Sequence, residues 1–147
     1  MKIRETHKVV VMGAGGVGKT SLVVQFMEGF FTSQYKPTVE DYYRHTIQLP
    51  GMSTLSYEKK CVCTVVSQVN AILTINYAVC CFTDNTVHTI EILDTAGTHY
   101  FPAMRELSIR NGRGFVLVFS LDSLQSFHEI VGIWQTITNI RGTYVCL

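Results

Sequence analysis

Eight consecutive residues, Gly13-Ala14-Gly15-Gly16-Val17-Gly18-Lys19-Thr20, have the types and spacing to hold a phosphate chain, following G-x-x-x-x-G-K-[ST]. Glycines reach backbone angles closed to other residues, so successive N–H groups can converge on phosphate oxygens. Lys19 is spaced to reach β- and γ-phosphates, and the Thr20 hydroxyl to ligate Mg²⁺. A helix starting here points its positive end at the anion. Further along, Asp94 and Gly97 form D-x-x-G, which sets a carboxylate near Mg²⁺ and a backbone N–H near a γ-phosphate. Other chemistries find less support. The five histidines, His7, His45, His88, His99 and His128, show no metal-binding spacing, and no Ser/His/Asp nucleophile arrangement is present.

These residues need elements to position them. "HKVVVMG" is a continuous apolar run rich in β-branched residues, the signature of a buried parallel strand, and an amphipathic helical pattern follows the glycines. "FFTSQYKPTVEDYY" reads as a polar loop in which Pro37 favours an extended approach, with strand alternation resuming at "RHTIQL". "HTIEILDTAG" is a second strand ending on Asp94, and "GFVLVFS" a third. "SLQSFHEIVGIWQTITNI" predicts a helix with Phe127, Ile130, Val131 and Trp134 on one stripe. The alternation implies an α/β, doubly wound, mostly parallel sheet with an antiparallel edge hairpin.

Composition sets the outer bounds. At 147 residues, 47% hydrophobic and 16% charged, the chain can bury one real core. A net charge of +1 gives no basic field for nucleic acid and no polybasic tail for a membrane. The first residues are unlike a signal peptide, so synthesis in the cytosol is expected, and the five cysteines are assigned no bridges.

"GAGGVGKTSLVVQF", "YKPTVEDYY" and "LDTAGTHYFPAMRELSIRNGRGFVLVFS" together resemble the Ras family of small GTPases, in that family's order, over residues 5 to 50 and 86 to 141. The threonine after "DTAG" is similar to the Rap branch, and "FPAMRELSI" to the Di-Ras, Dexras and Ras-dva branches. The resemblance implies a P-loop NTPase fold, GTP or GDP as bound nucleotide, Mg²⁺ as cofactor and slow hydrolysis of GTP to GDP. Gly13, Ala14, Gly15, Gly16, Val17, Gly18, Lys19, Thr20 and Ser21 would hold the phosphates. Phe31 would pack on the edge of the base. Thr20, Thr38 and Asp94 would form the metal site, Asp94 through a bound water, and Gly97 would donate its N–H to the γ-phosphate. Catalysis would fall to Lys19, Thr38, Gly97 and Thr98. Thr98 stands where Ras itself has a glutamine, and its shorter hydroxyl cannot orient water as an amide does, so hydrolysis should depend on an activating protein. Tyr35 to Tyr43 would face effector proteins, with Glu40 and Asp41 presenting charge, and an exchange factor would reload the nucleotide. For the family, the cytoplasmic face of the plasma membrane is the expected location.

Two features depart from the family's pattern. The chain reads as an incomplete G domain over 1–142 with a non-family tail at 143–147. It lacks the family's Asn-Lys-x-Asp strand, its Ser-Ala-Lys loop and a C-a-a-X cysteine, so its C-terminal third is expected to be missing. Loss of that third predicts a cytosolic chain, an uncovered apolar edge at Gly114 to Ser120 and poor stability. Residues 52–84 form an insertion holding four of the five cysteines, uncharged between Lys60 and Asp84. Cys61-x-Cys63 and Cys80-Cys81 lack zinc-ligand spacing, and Gln68, Asn70 and Asn76 argue against a membrane span. A retained intron fits both ends: the codons of Gly51-Met52-Ser53 permit a splice donor and those of Phe82-Thr83-Asp84 an acceptor, and excision would keep the frame. A genuine inserted loop is the alternative. Two functions therefore stand side by side, a GTP-hydrolysing switch and a non-catalytic fragment that keeps only the phosphate loop and effector surface.

Overall fold

A computed structural model describes residues 6–31, 34, 36–48, 61–68, 87–97, 101–142 and 145–146, giving backbone alone at 47–48, 61–68, 87–88 and 145–146. The elements run β1 (Thr6–Gly13), α1 (Lys19–Glu28), β2 (Glu40–Gln48), β3 (Cys61–Gln68), β4 (Val87–Thr95), α2 (Pro102–Asn111), β5 (Gly114–Ser120), α3 (Leu124–Arg141) and β6 (Val145–Cys146). One mixed sheet orders them β2-β4-β1-β5-β3-β6. β1 lies parallel to both β4 and β5, and β2 is antiparallel to β4. The α/β class and the antiparallel edge pair are as the sequence predicts.

The sheet has two buried faces because its central strands alternate between two cores. Val10 and Met12 of β1, Leu93 of β4, and Phe115 and Leu117 of β5 turn to one face, where Ile109 of α2 and Ile130, Ile133 and Ile137 of α3 cover them. Val11, Ile92 and Val118 turn to the other, against Ala14, Val17, and Leu22 and Val23 of α1. Phe115, Ile109, Leu117 and Ile137 are all at or below 1% exposed. Each such side chain stabilises the fold by roughly 1.5–3 kcal/mol relative to exposure, so β1 is held from both sides at the point where the phosphate loop leaves it.

Three expectations need correction. The buried stripe of α3 is Ser126, Ile130, Ile133 and Ile137, whereas Phe127 and Val131 are about 40% exposed and Trp134 packs only at the core's margin. Ser126 hides this stripe, being polar by type yet buried by its bonds: its hydroxyl donates to the Ser123 carbonyl (2.7 Å) and accepts from the Ser120 N–H (3.0 Å). Second, β2 begins at Glu40, so the last part of the presumed polar loop is strand, in ladder register with Thr95 to Ile92. Third, the outer edge of β5 is not bare. Cys61–Gln68, inside the apolar insertion, pairs with it in parallel from Val62↔Gly114 to Gln68↔Ser120, and β6 pairs in turn with β3. Instability argued from an open edge therefore loses its premise.

The β2–β4 ladder nonetheless closes across the insertion. Its last pair is Gln48↔Val87, so residues 49–86 leave from and return to one end of a continuous hairpin.

Candidate nucleotide and metal site

Glycine chemistry shapes the loop after β1. Gly13 has φ 151° and a Cβ there would sit 2.1 Å from the Val118 carbonyl oxygen, so only glycine lets β1 end this close to β5. Gly16 (φ 75°) and Gly18 (φ 92°) take left-handed angles, and Gly18 caps α1. Lys19 opens the helix and is 6% exposed. Its Nζ turns back to donate to the carbonyls of Gly13 (3.0 Å) and Ala14 (2.7 Å). Burial pushes the Lys19 ammonium below the ordinary lysine range, opposed by the charges of Asp94 and Glu129. A buried cation held, among the described residues, by the carbonyls of its own loop is ready to exchange them for phosphate oxygens.

Asp94, the third from last residue before the D-x-x-G glycine, is fully buried at the end of β4. Thr20 donates its hydroxyl proton to Asp94 Oδ2 at 2.5 Å, and Thr38 Oγ1 lies 2.7 Å from Thr20 Oγ1. Since the single Thr20 proton is committed to Asp94, Thr38 is the donor in the second bond. Asp94 Oδ1 is buried and has no hydrogen-bond partner among the described residues. Burial raises the Asp94 carboxyl above the usual carboxylate range, against the Thr20 hydrogen bond and the Lys19 charge, while Asp41 adds to the rise. An orphaned buried carboxylate oxygen beside two hydroxyls is a costly arrangement by itself. Its donor set is oxygen only, the kind that Mg²⁺ takes, and the residues fit that ion.

The end of β4 is fixed to β1 by Thr95, whose hydroxyl donates to the Val11 carbonyl at 2.7 Å. Just beyond, Gly97 lies against the phosphate loop, where a Cβ would stand 2.8 Å from the Gly15 nitrogen. Of the residues expected in the site, the structure thus gathers Lys19, Thr20, Thr38, Asp94 and Gly97 around the loop from Gly13 to Gly18. Phe31 is 66% exposed beyond the end of α1. Thr98, His99 and Tyr35 lie outside the described residues. Within the expected effector segment, Val39 (71% exposed) and Tyr42 (66%) present apolar surface, Asp41 is exposed and Glu40 is half-buried. One contributor was not foreseen: Val118, whose carbonyl fixes where Gly13 turns. No sequence signal marks it, because the contact is made by backbone.

Among the described residues, no helix is long and apolar enough to cross a membrane. The chain is 39% identical to the GTP-binding protein Di-Ras1 of Homo sapiens over 137 residues, 93% of this chain and 52% of that protein. The Mus musculus Di-Ras1 gives the same figures. The chain thus spans about half the length of these curated relatives. The pattern of the Ras family matches it over residues 8–61 and again over 54–147, two pieces that between them take in both motifs and every helix. With the phosphate loop, the Thr20–Thr38–Asp94 cluster and this match in agreement, the chain belongs to the Ras family of small GTPases.

Proposed function

We propose that this chain binds GTP and GDP with Mg²⁺ and acts as a slow GTP-hydrolysing switch in signal transduction. The observation that carries the reading is the buried oxygen cluster of Thr20, Thr38 and Asp94, with Asp94 Oδ1 unpartnered, beside a glycine loop whose lysine is folded onto its own carbonyls. Lys19 leaves Gly13 and Ala14 to hold the β- and γ-phosphates, and the N–H groups of Gly15 to Thr20 close around them. Thr20 and Thr38 would hold Mg²⁺ through their hydroxyl oxygens, and Asp94 would hold it through a bound water. Mg²⁺, when bound there, would supply positive charge to offset that of the phosphates. Gly97, already seated on Gly15, donates its N–H to the terminal phosphate, and Thr98 leaves the attacking water poorly oriented.

Thr38 runs into β2 at Glu40 and Gly97 follows β4 at Thr95, so both stand at the same end of one strand pair, and loss of the terminal phosphate frees both. Effector proteins would read that change over Tyr35–Tyr43. An exchange factor and a GTPase-activating protein would set the cycle, at the cytoplasmic face of the plasma membrane for the family. Guanine preference rests on the family.

The test is binding of fluorescent GTP and GDP by the purified 147-residue chain, with Mg²⁺ or with chelator, and with ATP as competitor. Guanine nucleotides should bind more tightly with Mg²⁺, and Asp94→Asn should lose that Mg²⁺ gain by about tenfold or more, as loss even of outer partners in metal sites does. A folded chain that ignores guanine nucleotides, or takes ATP equally, would refute the proposal.

A further inference from the structure

The position beside β5 is filled in an unusual way. The chain leaves β5, runs through α3 and re-enters the sheet at β6, but β6 does not lie next to β5. Strands joined by one crossover are usually neighbours. Here the intervening place belongs to β3, which arrives from the insertion between β2 and β4 and matches β5 over seven residue pairs. β6 is carried one strand outward and pairs with the start of β3, at Cys61↔Val145 and Val62↔Cys146.

Local sequence supports both roles. "CVCTVVSQ" is dense in β-branched residues and carries no charge, which suits an interior strand of a parallel sheet. The outer edge of β5 is the edge of a buried strand, with Phe115, Leu117 and Val118 at or below 1% exposed, and an unfilled edge there would leave a row of unpaired backbone groups beside the core. The register of β6 on β3 also repeats that of β3 on β5: Val62 faces Gly114 on one side and Cys146 on the other.

We propose that the place beside β5 is a shared slot, held in this chain by Cys61–Gln68 and open to Val145–Cys146 when that strand is withdrawn. The insertion is then an intramolecular strand that completes the sheet, and the segment following α3 is its competitor. The slot bears on the nucleotide site through β5, because the Val118 carbonyl sets the turn at Gly13.

Disulfide trapping reads the slot directly in the full chain, with Cys61, Cys63, Cys80 and Cys81 replaced by serine. Thr64→Cys with Val116→Cys, opposite each other in the ladder, should form a bond on mild oxidation, mapped by mass spectrometry. Gly114→Cys should not bond to the natural Cys146, because two strand spacings of about 4.8 Å separate their backbones by roughly 9.6 Å, beyond disulfide reach. Adding Val65→Pro, which breaks the β3 ladder and keeps the chain's length, should turn on the 114–146 bond. A 114–146 bond without the proline, or absence of the 64–116 bond, shows that β3 does not hold the slot. A 114–146 bond that stays absent with the proline shows that Val145–Cys146 does not compete for it.

Discussion

Substituting Gly97 by alanine tests whether its seat on the phosphate loop belongs to the nucleotide cycle. The added Cβ would lie 2.8 Å from the Gly15 nitrogen and 2.9 Å from its Cα, with the Ala14 carbonyl carbon at 3.6 Å. Carbon makes comfortable contact at about 3.5 Å, so the two loops must separate by roughly 0.6 Å. Both close neighbours are backbone, and no rotamer change can absorb the overlap. Forced packing of this kind costs about 1–3 kcal/mol. The penalty falls on the arrangement in which Gly97 touches Gly15, which on the proposed mechanism is also the one that would bring its N–H to a terminal phosphate. Gly97→Ala should therefore weaken GTP-analogue binding by roughly 5- to 150-fold, the factor equivalent to that energy, and leave GDP binding nearly unchanged. Stopped-flow or equilibrium titration of fluorescent GDP and a non-hydrolysable GTP analogue measures both. Equal losses for the two nucleotides would place the clash in the resting fold instead of the closed state. No loss for either, in a variant with a normal melting transition, would mean that the loops part without penalty.

The remaining two predictions concern pH and hydrolysis. Asp94 has a folded pKa raised by burial, so between the ordinary carboxylate value and that raised value the folded chain binds more protons than the unfolded one, and stability of the nucleotide- and metal-free protein falls as pH rises through this window. Asp94→Asn should flatten that part of the urea-midpoint profile recorded with chelator, and an unchanged slope would show that another group sets it. Thr98→Gln supplies the two-ended amide that a threonine lacks, and single-turnover GTP hydrolysis should speed up; an unchanged rate would show that residue 98 does not orient the water.

Much of the site was legible in the sequence because its parts are local or punctuated by glycine. Gly13 to Thr20 specifies its own turn, and Asp94 is placed by the strand that ends on it. Thr38 was implied only by the family resemblance of the segment around Pro37, and the structure brings its hydroxyl to Thr20. What stayed hidden depends on contacts distant in sequence. Cys61–Gln68 has the composition of a strand, but nothing local says that its partner is Gly114–Ser120, more than fifty residues on. Lacking that partner, the same residues read as an interruption. On α3, helical periodicity was recognised and its phase misplaced, because Ser126 is buried by hydrogen bonds that a hydropathy reading scores as exposure. Phe127 looked like core for the converse reason: it leans edge-on against Phe119, ring centres 5.3 Å apart, on the rim and not within.

The β2–β4 hairpin has its business end at Glu40↔Thr95 and its open end at Gln48↔Val87. Eight residue steps of about 3.4 Å put some 27 Å between them. Sequence added at the open end enters the protein a full ladder's length from the Glu40↔Thr95 end, and the paired strands hold their register around it. The tip is thus a port through which a gene can acquire, lose or exchange coding sequence while the β2–β4 ladder keeps its register. A protein engineer could use the same port to graft a fluorescent or ligand-responsive domain onto the switch.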